Sequence, residues 1–215
     1  MTQAPSSDVA FTAAVKAIQE RRGSRRGYAK LEERGGFRTG ISPELVAFLG
    51  QVDTAYLATA SAAGRPYAQH RGGPKGFIRV LDAETLGFAD FAGNRQYITS
   101  GNLAENDQAF LFLIDYAHQR RVKIWGRARI VEDDPALIAQ LMPEDYSARA
   151  EQVILFKIEA WDINCPQHIP QKLDATDVAE IITPLNEEID RLRTENAELR
   201  RVLRHSREAP LQDET

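Results

Sequence analysis

The chain has 215 residues, 43% of them hydrophobic, and a net charge of −4, which allows one well-packed domain plus an appendage and gives no global pull toward nucleic acid or a membrane surface. One cysteine, Cys165, excludes an intramolecular disulfide framework and fits a reducing compartment. No apolar run approaches the roughly 20 residues that span a bilayer, and MTQAPSSDVA lacks the basic-then-apolar form of a secretory leader, so the expectation is a cytoplasmic protein.

Residues 8 to 22 (DVAFTAAVKAIQERR) place Val9, Ala13 and Ile18 at helical spacing, with Asp8 as the expected N-cap and a basic end suited to the helix C-terminus. The Gly-rich, basic stretch GSRRGYAKLEERGGFRTG reads as loop. SPELVAFLG opens with a Ser cap and a Pro at the first helical position, which marks a short helix.

From residue 52 to 161 the pattern changes to strands. DTAYLATASAAGRPYAQHRGG breaks at AAGRP and GFIRVLDAETLGFADF breaks at DAET, the form of two hairpins. QAFLFLID is short enough for a buried strand, RRVKIWGRARIVE alternates between long polar and apolar residues, and VILFKIEAWDI is the last strong strand. About six antiparallel strands with few helices between them suggest a mainly β fold with flanking α-helices, built as a small closed barrel.

The tail repeats differently. Val178, Ile182, Leu185, Ile189, Leu192, Leu199 and Leu203 alternate by four and three, and Asn196 takes the a position that this spacing leaves vacant. Asn at one a position favours a parallel two-stranded coiled coil and fixes its register. Glu188 with Arg193, and Glu195 with Arg200, fall at g and following e positions, which meet across chains in a parallel dimer. Pro184 should kink or delay the helix, so the coil is expected to begin at about Leu185.

The four histidines, 70, 118, 168 and 205, lack the i, i+4 spacing of a helical zinc site, and no Walker or dinucleotide glycine pattern occurs. An NTPase, a Rossmann dehydrogenase and a zinc hydrolase are therefore disfavoured. What remains is cationic and amide side chains on neighbouring strand segments: QHRGGPKG (69 to 76), GNRQ (93 to 96) and RRVKIWG (120 to 126). Arg121, Lys123 and Trp125 are two apart and share one strand face. Arg offers a planar fork for phosphate and Lys a point charge, and the helix start after GNRQ adds backbone N–H groups. Together they favour a phosphate-bearing, planar cofactor. Ile98 and Leu103 are expected to anchor that helix to the barrel.

GRPYAQHRGGPKG, TLGFADFAGNRQYITSGNLAEND and QAFLFLIDYAHQRRVKIWGRARIVE resemble the flavin-binding split-barrel family that includes pyridoxamine 5′-phosphate oxidase, more closely its branch of flavin-nucleotide-binding proteins. The resemblance spans roughly residues 40 to 170. It implies a six-stranded antiparallel split β-barrel and a homodimer that holds FMN at the subunit interface. It matches Asn94, Arg95 and Gln96 to the segment gripping the FMN phosphate, with Gln in place of a Lys. It also places His70, Arg71 and Lys75 as flavin contacts and Arg121 near the flavin, with Lys123 following on the same face; Trp125 is counted with these cofactor-binding residues.

The oxidase's C-terminal substrate segment is not recognisable, and WDINCPQHIPQKL stands there instead. The expectation is an FMN-dependent oxidoreductase that is not a pyridoxamine phosphate oxidase, with Cys165, Gln167 and His168 able to approach the flavin or a substrate and Cys165 and His168 as the candidate catalytic residues. The alternatives are a flavin-binding or flavin-sequestering protein without its own reaction, and a haem or deazaflavin binder on the same barrel. The expected organisation is an N-terminal helix and basic loop (1–40), an FMN-binding split-barrel domain (41–173), a coiled-coil helix (174–206) that dimerises together with the barrel, and a disordered tail (207–215).

Overall fold

Seven strands pair antiparallel into one sheet: β1 (Thr54–Ala60), β2 (Pro66–Gly72), β3 (Arg79–Val80), β4 (Thr85–Phe91), β5 (Gln108–Asp115), β6 (Arg120–Val131) and β7 (Ala150–Ile163), in the order β2-β1-β5-β6-β7-β4-β3. The computed structural model describes residues 4–163 and 166–208 and divides into two units at Pro170/Gln171. The first unit also carries helices α1 (Ala13–Arg22), α2 (Arg25–Glu33), α3 (Pro43–Leu49), α4 (Ile98–Glu105) and α5 (Pro135–Leu141); the second is the helix α6 (Ala175–Glu208).

Period-two alternation decides which strand face is buried. Ala55, Leu57 and Thr59 of β1, Ala109, Leu111 and Leu113 of β5, and Val122, Ile124 and Ala128 of β6 turn inward. They pack with Phe88, Ile154 and Phe156 and with Leu45, Phe48 and Leu49 of α3 into one core. Both hairpins form where turn chemistry puts them. Gly64 supplies the positive φ of the first, at 76°, and Asp82 Oδ1 accepts the N–H groups of Glu84 and Thr85 in the second. As its sequence indicates, α3 starts with Ser42 Oγ accepting from Leu45 N–H and Pro43 in the first turn.

The sheet is not closed, which corrects the closed barrel suggested by strand count alone. Six full strands and the two-residue β3 form it, and among the described residues no backbone ladder joins β2 to β3 or β4. The sheet curls far enough for Arg71 of β2 to form an ion pair with Asp90 of β4, so side chains bridge the opening.

The N-terminal region also departs from expectation. Residues Ser6–Val9 form a 3₁₀ turn, and Thr12 rather than Asp8 caps α1, with its side chain accepting from Val15 N–H. Asp8 instead binds Lys16 at 2.6 Å. The stretch read as loop holds α2: Glu32 pairs with Arg25 and, at 3.2 Å, with Lys16, while Tyr28 packs edge-on against Phe11. Phe37 stacks on Trp125, and Arg38 exchanges two backbone hydrogen bonds with Trp161, fixing this segment to the sheet. Trp161 itself is buried and donates Nε1 to Gly40 O at 2.8 Å.

In the second unit, α6 runs through Pro184 without interruption, so the helix itself is not delayed by it. No helix among the described residues is long and apolar enough to cross a membrane.

Candidate functional site

The opening between β2 and β4 is lined by polar side chains that the chain brings from five segments. Tyr67, Gln69 and Arg71 come from β2, Asp90 and Phe91 from β4, residues 93 to 97 from the following turn, Thr99 and Ser100 from α4, and Glu151 and Gln152 from β7. Alternation along β2 points Gln69 and Arg71 to this cleft and sends His70 to the other face, where its ring meets Tyr56 edge-on at 5.7 Å.

A hydrogen-bonded frame holds the cleft walls. Gln69 Oε1 accepts from Thr99 Oγ1 at 2.9 Å and from Arg71 Nη2 at 3.1 Å. Gln152 Nε2 donates to Asp90 Oδ2 at 2.8 Å and to Ser100 Oγ at 3.1 Å. Asp90 and Gln152 are both buried, so each carries a desolvation cost that these bonds and the Arg71 pair offset. Arg71 Nε is buried and lacks an acceptor.

The turn before α4 has an unusual backbone. Arg95 and Tyr97 both lie in the left-handed region, with φ of 58° and 53°, a conformation costly for non-glycine residues and concentrated at functional loops. Tyr97 is the N-cap of α4 yet provides no side-chain cap, so the helix start offers backbone N–H groups and positive dipole potential. Arg95 keeps 66% of its side chain exposed beside it. Its Nε donates to Tyr97 Oη at 3.0 Å and lies 3.6 Å from Glu151; the Tyr97 bond first, then these charges, raise its pKa further. Asn94 Oδ1 accepts from Gln96 N–H and shapes the turn.

α4 is seated by groups that hydrophobic spacing missed. Leu103 is buried as expected, but Ile98 is exposed, and Thr99 and Asn102 take the inward positions instead. Asn102 Nδ2 donates to Thr59 Oγ1 of β1 at 3.0 Å, and Thr99 reaches β2 through Gln69. The sequence signal was present in Asp90 and Gln152, polar residues inside otherwise apolar strands, which demand partners when buried.

The remaining candidates sit elsewhere. Arg121, Lys123 and Trp125 do share one face of β6, but it is the outer face and not the cleft of Arg95. Lys123 pairs with Asp162 at 3.2 Å and lies over the rings of Trp125 and Phe37. Arg121 is half-buried, with Nε lacking an acceptor. Trp125 borders a second cavity of about 470 Å³ with Ala58, Ala60, Phe110 and Gly126, within the range of small-molecule sites. Lys75 is exposed in the turn after β2, and Gln167 and His168 are exposed after β7 and line neither cavity. Cys165 lies outside the described residues. Among those residues, no group of three or more His, Cys, Asp or Glu could hold a metal ion.

An antiparallel sheet that curls but stays open, with a helix seated across the opening by polar side chains, is the split-barrel fold of pyridoxamine 5′-phosphate oxidase-like proteins. The sequence profile described as pyridoxamine 5′-phosphate oxidase matches residues 41–165, more than half of the chain, and the chain belongs to that family. Solved structures similar to it include HupZ of Group A Streptococcus, at 16% identity, covering 62% of this chain and 99% of that one with a TM-score of 0.47. A putative pyridoxamine 5′-phosphate oxidase of Lactobacillus delbrueckii matches at 22% identity over 57% and 93% of the two chains, TM-score 0.44. An FMN-binding protein of Syntrophomonas wolfei matches at 9% identity over 71% and 98%, TM-score 0.44. No curated protein matches the sequence.

Proposed function

We propose that this chain binds FMN at the β2/β4 opening and serves as an FMN-dependent oxidoreductase for a small molecule other than pyridoxamine phosphate. The observation that carries the reading is the exposed Arg95 guanidinium beside the uncapped start of α4, in a turn held in the left-handed region. The residues fit a phosphate monoester. Arg95, Asn94 and Gln96 would take its oxygens with the first-turn N–H groups of α4, and an oxyanion reaching the Arg71 wall would offer its Nε the acceptor it lacks.

When bound, FMN supplies hydride acceptance and donation, and the protein binds, orients and tunes it. The Asp90–Gln152–Ser100 frame keeps Arg71 and α4 in place while Arg95 engages the ligand. A second copy of the chain would cover the outer sheet face, where Tyr56 with Phe112 and Phe110 with Trp125 form two ring pairs and the 470 Å³ cavity opens. Such a face, half-exposed and aromatic, suits a homodimer interface.

The phosphate reading is tested by titrating FMN and riboflavin into purified protein and following flavin fluorescence. FMN should bind more tightly than riboflavin by roughly 100-fold, the scale of two charge-assisted hydrogen bonds, and Arg95→Ala should remove most of that preference. Equal affinity for the two ligands would exclude phosphate recognition here. Mutual satisfaction of most cleft side chains also supports a second reading, a flavin carrier without its own reaction. Tight FMN retention with no reduction by NADH, NADPH or a donor panel would select the carrier.

A further inference from the structure

The face of α6 that carries Ile182, Leu185, Ile189, Leu192, Leu199 and Leu203 is between 43 and 61% exposed in the single chain. A row of large aliphatic side chains on one helix face is costly to leave in water. We propose that it pairs with α6 of a second copy as a parallel, in-register, two-stranded coiled coil.

Three features of this helix select that occupant. Ile182 and Ile189 at a, with Leu185, Leu192 and Leu199 at d, is the side-chain arrangement that favours two strands over three or four. Asn196 at the next a position donates only to the backbone of its own helix, Nδ2 to Leu192 O at 3.0 Å. In a parallel, in-register pair it meets its own counterpart, and amide can bond amide. An antiparallel pair sets a positions against d positions, so Asn196 would meet a leucine such as Leu185 or Leu192 instead, polar against apolar.

Charge makes the same choice. The g positions are Glu188 and Glu195 and the e positions Arg193 and Arg200. Parallel helices bring g to the partner's e, Glu to Arg; antiparallel helices bring g to g and e to e, like to like. Within one chain Glu188 holds Arg191 at 2.6 Å and Asp190 holds Arg193 at 3.3 Å, exposed pairs of small value that can be exchanged. No ion pair among the described residues involves Glu195 or Arg200. Pro184 falls at c, outside the seam, where its ring does not obstruct a partner.

The test uses the full chain with Cys165→Ser as background. Leu199→Cys places a thiol at d, facing its counterpart in the parallel pair, while Arg201→Cys places one at f, facing outward. Under mild oxidation Leu199→Cys should form disulfide-linked dimer roughly tenfold faster, because only the seam position gains effective concentration. Equal rates, as expected if the tails merely collide or the helix lies on its own chain, would overturn the proposal. Adding Glu195→Arg should slow the Leu199→Cys cross-link, and adding Arg200→Glu to that variant should restore it. Failure of the second change to rescue the first would overturn the parallel register even if the tails associate. Neither readout depends on flavin, so the outcome is separate from that of FMN binding.

Discussion

Asp90 sits in an apolar strand with 8% of its surface exposed, and its side chain accepts from Arg71 across the opening and from Gln152 on the neighbouring strand β7. Removing the charge leaves the Arg71 guanidinium buried without an anion. Asp90→Asn should therefore lower unfolding free energy by about 3 kcal/mol in urea titrations. Arg71→Met/Asp90→Leu, which removes both charges, should cost less than Asp90→Asn, because no lone charge stays buried. A double variant less stable than the single one would mean that the pair contributes net stability of its own. Gly126 is a second residue of this kind: a Cβ there would lie 2.1 Å from Lys157 O, at the bulge where β6 shifts register against β7. Because the obstacle is backbone, Gly126→Ala should destabilise by at least about 2 kcal/mol. Asp90, an acid inside the apolar run TLGFADF, carried a signal that strand periodicity alone does not take up. Gly126 carried none, since a bulge leaves no trace in strand alternation.

At the scale of elements, sequence pattern failed where polar contacts set the structure. Gly27 and a run of cations disguised α2, whose order comes from Glu32 reaching back to Arg25 and across to Lys16 of α1. The Arg25 hydrogen bond, followed by that of Lys16, holds the Glu32 carboxyl below the ordinary glutamate range. A depressed carboxylate contributes stability that is present above its unfolded pKa and lost as pH falls through the folded one. The α1–α2 pair should therefore loosen on acidification below the ordinary glutamate range, seen as faster amide exchange in α2. Glu32→Gln should exchange faster already at neutral pH and lose that acid dependence. α4 follows GNRQ as the sequence places it, but its inward face is set by Thr99 and Asn102, which bond to the sheet, and not by Ile98. A Cβ at Gly101 would meet nothing within 4 Å, so Gly101→Ala should stabilise by about 0.5–1 kcal/mol through helix propensity alone. A loss of stability instead would place another surface against that side of α4.

For the molecule as a whole, the strand sequence, the hairpins and the separate tail helix could be read from periodicity, whereas the opening of the sheet could not. Closure depends on whether β2 and β4 exchange backbone bonds, and those two strands reveal nothing of that in their own sequences. The same holds for the cleft. Asn94, Arg95, Gln96 and Arg71 were recognisable by chemistry, but the outer-face position of Arg121, Lys123 and Trp125 followed from curvature and from Phe37 docking on Trp125. The division at Pro170/Gln171 leads to a test at this scale. A chain ending at residue 174 keeps every strand and the complete core, so it should unfold cooperatively and retain FMN at high protein concentration. It should lose the ellipticity of the 34 residues of α6. If α6 tethers two copies, unfolding midpoints of the shortened chain should fall more steeply on dilution than those of the full chain, because dimer stability scales with protomer concentration. Identical dilution curves would make the sheet face sufficient for association and the tail helix an accessory to it.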